Sequence, residues 1–61
     1  MEKLTEYLKT HSPGALATAC GISRQYLWKL AKGDSLPRVD VAFRIEDATG
    51  GAVPVRAWVD P

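Results

Sequence analysis

Cysteine and histidine are nearly absent from the sequence, with one of each. No disulfide can form within the chain, and Cys20 and His11 alone cannot supply a four-ligand zinc site, so neither a metal nor a cofactor is expected. A lone cysteine set among alanines and leucines fits a reducing compartment and reads as a small core residue. No run of about 18 apolar residues occurs, so no membrane-spanning helix is expected. The opening stretch MEKLTEYLKT mixes charges and lacks the apolar centre of a secretory leader, which predicts a soluble, cytoplasmic protein. There is no nucleophile–base pair, no carboxylate dyad and no phosphate-binding loop. Glu46 and Asp47 adjoin in sequence but diverge on a helix, so they read as surface charges and no enzyme is expected. At 61 residues the chain is near the lower limit for one hydrophobic core. The expectation is a single domain over residues 1–61, without room for a separate effector or catalytic domain. A partner chain is the remaining source of support.

The net charge of +1 selects no partner, but the charges are unevenly placed. Residues 1–21 balance Glu2 and Glu6 against Lys3 and Lys9. Residues 22–44 set Arg24, Lys29, Lys32, Arg38 and Arg44 against Asp34 and Asp40, an excess of +3, and residues 45–61 carry an excess of −2. The positive charge is concentrated in GISRQYLWKLAKG, residues 21–33, and just after it.

Local signals divide the first half into three helices. In EKLTEYLKTH, Leu4, Tyr7 and Leu8 form one apolar stripe at helical spacing, and His11 suits the negative end of that helix. Ser12 is an N-cap and Pro13 a first helical residue for a second helix of about two turns, with Leu16, Ala17 and Cys20 on one face and Gly21 closing it. Ser23 caps a third helix, RQYLWKLAK, whose inward stripe is Leu27, Leu30 and Ala31 and whose end is Gly33. Two short helices joined by about three residues must cross steeply, which predicts a helix-turn-helix. With its stripe buried, the third helix turns Arg24, Gln25, Trp28, Lys29 and Lys32 outward, a face with cations, an amide and an aromatic but no acid. Arg and Lys donate to guanine acceptors or to phosphates, Gln pairs with adenine, and the Ser23 hydroxyl can bond a phosphate or a base edge.

Leu16, Ala17, Gly21, the GIS of residues 21–23, Leu27 and Leu30 stand at spacings that make residues 12–38 resemble the helix-turn-helix of the phage Cro and repressor family. The small alanine lets one helix pack over the other, the glycine makes the turn, and the leucines hold the second helix down. The resemblance implies that Ser23, Arg24, Gln25, Trp28, Lys29 and Lys32 reach DNA. Trp28 has a competing role, packing against a loop or a neighbouring chain, and Tyr26 reads as a packing residue between the two helices. Lys32 and Arg38 are expected to hold phosphates, together with the start of the second helix around Ser12.

The second half admits two readings. Val39, Val41, Phe43 and Ile45 alternate with Asp40, Ala42, Arg44 and Glu46, and Val53, Val55, Ala57 and Val59 alternate beyond Gly50–Gly51. This is a β-hairpin pattern over residues 39–59, in register only with a three-residue turn that sets Ile45 opposite Val55. It would make an α+β Cro-like fold of three helices and a C-terminal hairpin. The helical reading starts a fourth helix near Pro37, with Val41, Ala42, Ile45, Ala48 and Thr49 as its stripe and Gly50 after it. Pro54 then opens a short fifth helix with Val55, Trp58 and Val59 inward. Pro54 removes a ladder hydrogen bond from a strand but suits a helix start, and Glu46, Asp47 and Ala48 are poor strand formers. RIEDATGGAV, residues 44–53, also resembles the fourth helix and turn of small all-helical Cro-like regulators, including the YdaS-like group of prophage proteins, although Val53 stands where an N-capping hydroxyl is common. The expected fold is all-α: a compact five-helix, lambda-repressor-like helix-turn-helix domain.

The resemblance implies a Cro-like repressor, from a prophage or a bacterium, that binds double-stranded DNA with its third helix in the major groove. A weak homodimer, tightened on DNA, is expected through Val53, Val55, Trp58 and Val59. The alternative function is a protein-interaction module, such as an antitoxin-type regulator that binds a partner protein through the same C-terminal segment.

Overall fold

Leu4 and Leu8 lie one helical turn apart on helix α1, Glu2–Thr10, and both point into the hydrophobic core, with Tyr7 half-buried beside them. The computed structural model describes residues 1–59. The ring of His11 stacks on Tyr7 with centroids 3.8 Å apart, and its Nδ1 lies 3.0 Å from the Tyr7 carbonyl, which also accepts from Thr10 Oγ1, so the two side chains meet the C-terminal end of α1. Helix α2, Pro13–Cys20, begins as its sequence signals require: Ala15 N donates to Ser12 Oγ at 3.2 Å, and Pro13 takes the first position. Helix α3, Arg24–Lys32, begins at Ser23, whose Oγ accepts from Tyr26 N at 3.1 Å. It ends at Gly33 (φ 85°), where the amides of Gly33 and Asp34 turn back onto the Leu30 and Lys29 carbonyls. That left-handed step is cheap only for glycine.

The ambiguous half is helical, and no strand occurs among the described residues. Helix α4 spans Val39–Ala48. The hairpin reading therefore fails for residues 39–48: side chains that alternate on a strand spread around a helix, and Val41 and Ile45 go inward while Val39 and Phe43 remain exposed. Two details differ from expectation. Pro37 lies outside the helix, which starts after an extended Arg38 (φ −65°, ψ 159°). A start at Pro37 would have required Leu36 as the cap, and leucine has no oxygen to offer an orphan amide. Ala48 is exposed, and the inward position at that end belongs to Thr49.

The expected fifth helix is a single 3₁₀ turn, Val55–Trp58. No hydroxyl stands before it, and two longer-range contacts hold it instead. Thr49 Oγ1 donates to the Ile45 carbonyl at 2.7 Å and accepts from Val53 N at 3.2 Å, while Glu46 Oε2 accepts from Val55 N at 3.1 Å. Glu46 is thus half-buried and bonded, not the plain surface charge its sequence position suggests. Val53 is completely buried. Val55 and Trp58 are half-buried and Val59 is exposed, and of the three expected inward residues only Trp58 packs against the core. The α-helices wrap one core of Leu4, Leu8, Leu16, Ala17, Cys20, Leu27, Leu30, Ala31, Val41, Ile45 and Val53. Helix α2 packs on α3 and α4, α1 on α3, and the 3₁₀ turn on α4.

Candidate nucleic-acid interface

The turn between α2 and α3 is set by backbone geometry. Gly21 adopts φ 70°, its amide donates to the Thr18 carbonyl, and Ile22 N donates to the Ala17 carbonyl at 3.0 Å. Both bonds satisfy carbonyls at the end of α2 that have no partner within the helix. Arg44 of α4 adds a third contact, donating from Nη1 to the Cys20 carbonyl at 3.4 Å. A guanidinium at the negative end of α2 is favourable, and it ties the turn to α4. Burial pushes the Cys20 thiol above its ordinary pKa, partly offset by the neighbouring Arg44 charge.

Helix α3 is fixed in rotation by Leu27 and Leu30, both fully buried, and by Ala31. Each leucine contributes about 1.5–3 kcal/mol of burial, so turning the helix about its axis would forfeit most of that. Its C-terminal end is held from α1, where Thr5 Oγ1 and Met1 N both donate to the Ala31 carbonyl, at 3.3 and 2.6 Å.

The outward face is then determined. Ser23, Arg24, Gln25, Trp28, Lys29 and Lys32 are all exposed, and none of the six is acidic. Arg24, Trp28 and Lys32 form one row at four-residue spacing and Gln25 and Lys29 a second, so the structure brings all six to one continuous surface. Trp28 is 41% exposed, so part of its ring is open to solvent on this face. Tyr26, by contrast, is half-buried against the core. The stem of Arg24 passes the start of α2: a Cβ built on Gly14 would lie 3.6 Å from Arg24 Cδ. Arg38 stands apart from the others, at the cap of α4, with its Nε 3.7 Å from Asp40 Oδ1. Both side chains of that pair are largely exposed, so the pairing is worth little and leaves the guanidinium available.

Sequence reasoning missed two residues that position this surface, Arg44 and Thr5. Each donates to the last carbonyls of a different helix, α2 and α3. The available signal is faint, namely that α2 has no basic residue in its own last turn to meet its carbonyls.

Two short helices, a glycine turn and an acid-free outer face on the second helix define a DNA-binding helix-turn-helix. A family model described as helix-turn-helix matches residues 2–54, and the chain belongs to this family, of the Cro and repressor type, whose members are DNA-binding regulators of transcription. No curated protein and no solved structure matches the chain. None of the helices among the described residues is long and apolar enough to cross a membrane.

Proposed function

We propose that the protein is a Cro-like repressor, of prophage or bacterial origin, that recognises a specific duplex sequence with α3 in the major groove. The observation that carries this reading is the outward face of α3, where three cations, an amide and an exposed indole share a surface without a single carboxylate. Arg24, Gln25 and Lys29 read base edges. Lys32 and Arg38 hold phosphates. Ser23 has its oxygen engaged by Tyr26 N, so its contribution is the hydroxyl proton, donated to a phosphate or a base acceptor. Repression follows from occlusion of a promoter, in the compartment that holds the DNA, and involves no catalysis.

Two copies on adjacent half-sites complete the reading. The contact between them draws on less of the C-terminal segment than the sequence suggests. Val53 has no surface to offer, Val55 and Trp58 offer part of theirs, and Val59 is 79% exposed. The same exposure supports the alternative reading. Leu36, Val39, Phe43 and Val59 are apolar and open, which favours contact with another protein, as in an antitoxin-type regulator.

Selection of bound duplexes from a random pool tests the proposal. The expected result is one enriched motif, repeated with two-fold symmetry. A pool that stays random through successive rounds would overturn sequence-specific recognition.

A further inference from the structure

We infer that Trp28 is a specificity-determining residue that reads a thymine. This deepens the assignment of α3 to the major groove and rests on it. Three observations lead there. Trp28 is the one large apolar side chain on the outer face of α3, and it is 41% exposed although the neighbouring leucines are completely buried. Arg24 and Lys32 stand four residues to either side of it, about 6 Å along the helix axis in each direction. No hydrogen bond engages its indole N–H among the described residues, so the donor is uncommitted.

The side chain therefore presents an apolar ring edge next to a single donor, between two anchoring cations. In the major groove, guanine offers two acceptors, cytosine a donor, and adenine an acceptor beside a donor. Thymine alone among the unmodified bases sets an apolar group, the C5-methyl, beside an acceptor, O4. The indole matches that edge twice, with the ring against the methyl and Nε1–H toward O4. An exposed tryptophan is unfavourable in the free protein, and covering it against a thymine methyl recovers that loss only on the right sequence.

The test is a uracil scan. The motif enriched from random DNA is prepared with each thymine in turn replaced by uracil, which keeps O4 and removes only the methyl. Affinity is measured for the native protein, Trp28→Ala and Trp28→Phe, with melting curves to show that the variants fold. For the native protein, one uracil position should weaken binding about fourfold, the value of one buried carbon. That penalty should vanish in Trp28→Ala and persist in Trp28→Phe, which keeps the ring and loses the donor. Placing 5-methylcytosine at the same position should not restore affinity, because its methyl adjoins a donor instead of an acceptor.

A uracil penalty of equal size in Trp28→Ala, or a motif in which no thymine methyl matters, would overturn the assignment and leave α3 as reader intact. A protein that enriches no motif would remove the reading of α3, and this inference with it. The scan on the native protein needs no variant, so a Trp28→Ala protein that failed to fold would still leave the presence or absence of a methyl-sensitive thymine to decide.

Discussion

Cys20 is 1% exposed at the last position of α2, and its carbonyl is the one that Arg44 holds. Burial raises the thiol's pKa, and this has a definite consequence for stability. Between the ordinary thiol pKa and the raised one, the folded chain keeps a proton that the unfolded chain has lost, so folding is weakened as pH rises through that window. Melting temperature should therefore fall on the alkaline side of about pH 8.5, the usual thiol value. Cys20→Ala should show less of that fall when both proteins are melted from pH 7 to 10, and identical alkaline slopes would contradict the account. Gly21 carries a separate burden. A β-branched residue at φ 70° is strained by about 1–2 kcal/mol, so Gly21→Val should melt clearly below the native protein. Ala17, 2% exposed between α2 and its neighbours, leaves no room for a larger side chain. Ala17→Leu should cost roughly 1–3 kcal/mol by overpacking. If thermal melts found both variants as stable as the native chain, these residues could not be setting the angle between α2 and α3.

At the scale of the element, the turn after α4 depends on one hydroxyl. Thr49 is buried and both donates to Ile45 and accepts from Val53, whose amide is itself buried. Thr49→Val keeps the shape, removes the acceptor and leaves that amide unpaired, which should cost about 1–3 kcal/mol. A urea titration with an unchanged midpoint would show that water or a shifted backbone replaces the hydroxyl. The same turn marks the limit of what the sequence makes legible. Helices α1 to α3 could be read directly, because Ser12, Ser23, Gly21 and Gly33 act on their own backbone within a few residues, and those bonds are present. The outer face of α3 follows from them once Leu27 and Leu30 are inward. The second half is harder, because Val39, Val41, Phe43 and Ile45 satisfy a strand's alternation as well as part of a helix's stripe. Helix α4 prevails at the expense of leaving Val39 and Phe43 open to solvent. A short helical turn after Pro54 is legible from the proline, but the groups that hold it are not, since Thr49 and Glu46 lie four and nine residues before the amides they accept from.

For the whole molecule, the proposed reading gives a single copy one helix in the groove and a modest central positive charge, and so predicts that tight binding takes two copies on one duplex. On a palindrome with half-sites about 34 Å apart, sedimentation at saturating protein should give two copies per duplex. Val59→Asp should leave the melting temperature unchanged, since Val59 is 79% exposed, but weaken the second binding step. A complex that stays 1:1 on a full palindrome would contradict assembly through the C-terminal segment. The central claim concerns α3 itself and is tested most directly by the ratio of affinities for the selected duplex and a scrambled one. The ratio is to be measured for the native protein, Arg24→Ala and Gln25→Ala at one fixed salt concentration. Both residues are exposed on α3, so stability should move by no more than about 0.5 kcal/mol. Discrimination should fall by roughly 1–3 kcal/mol in each variant. Two folded variants that keep the native ratio would show that the outer face of α3 does not read the DNA.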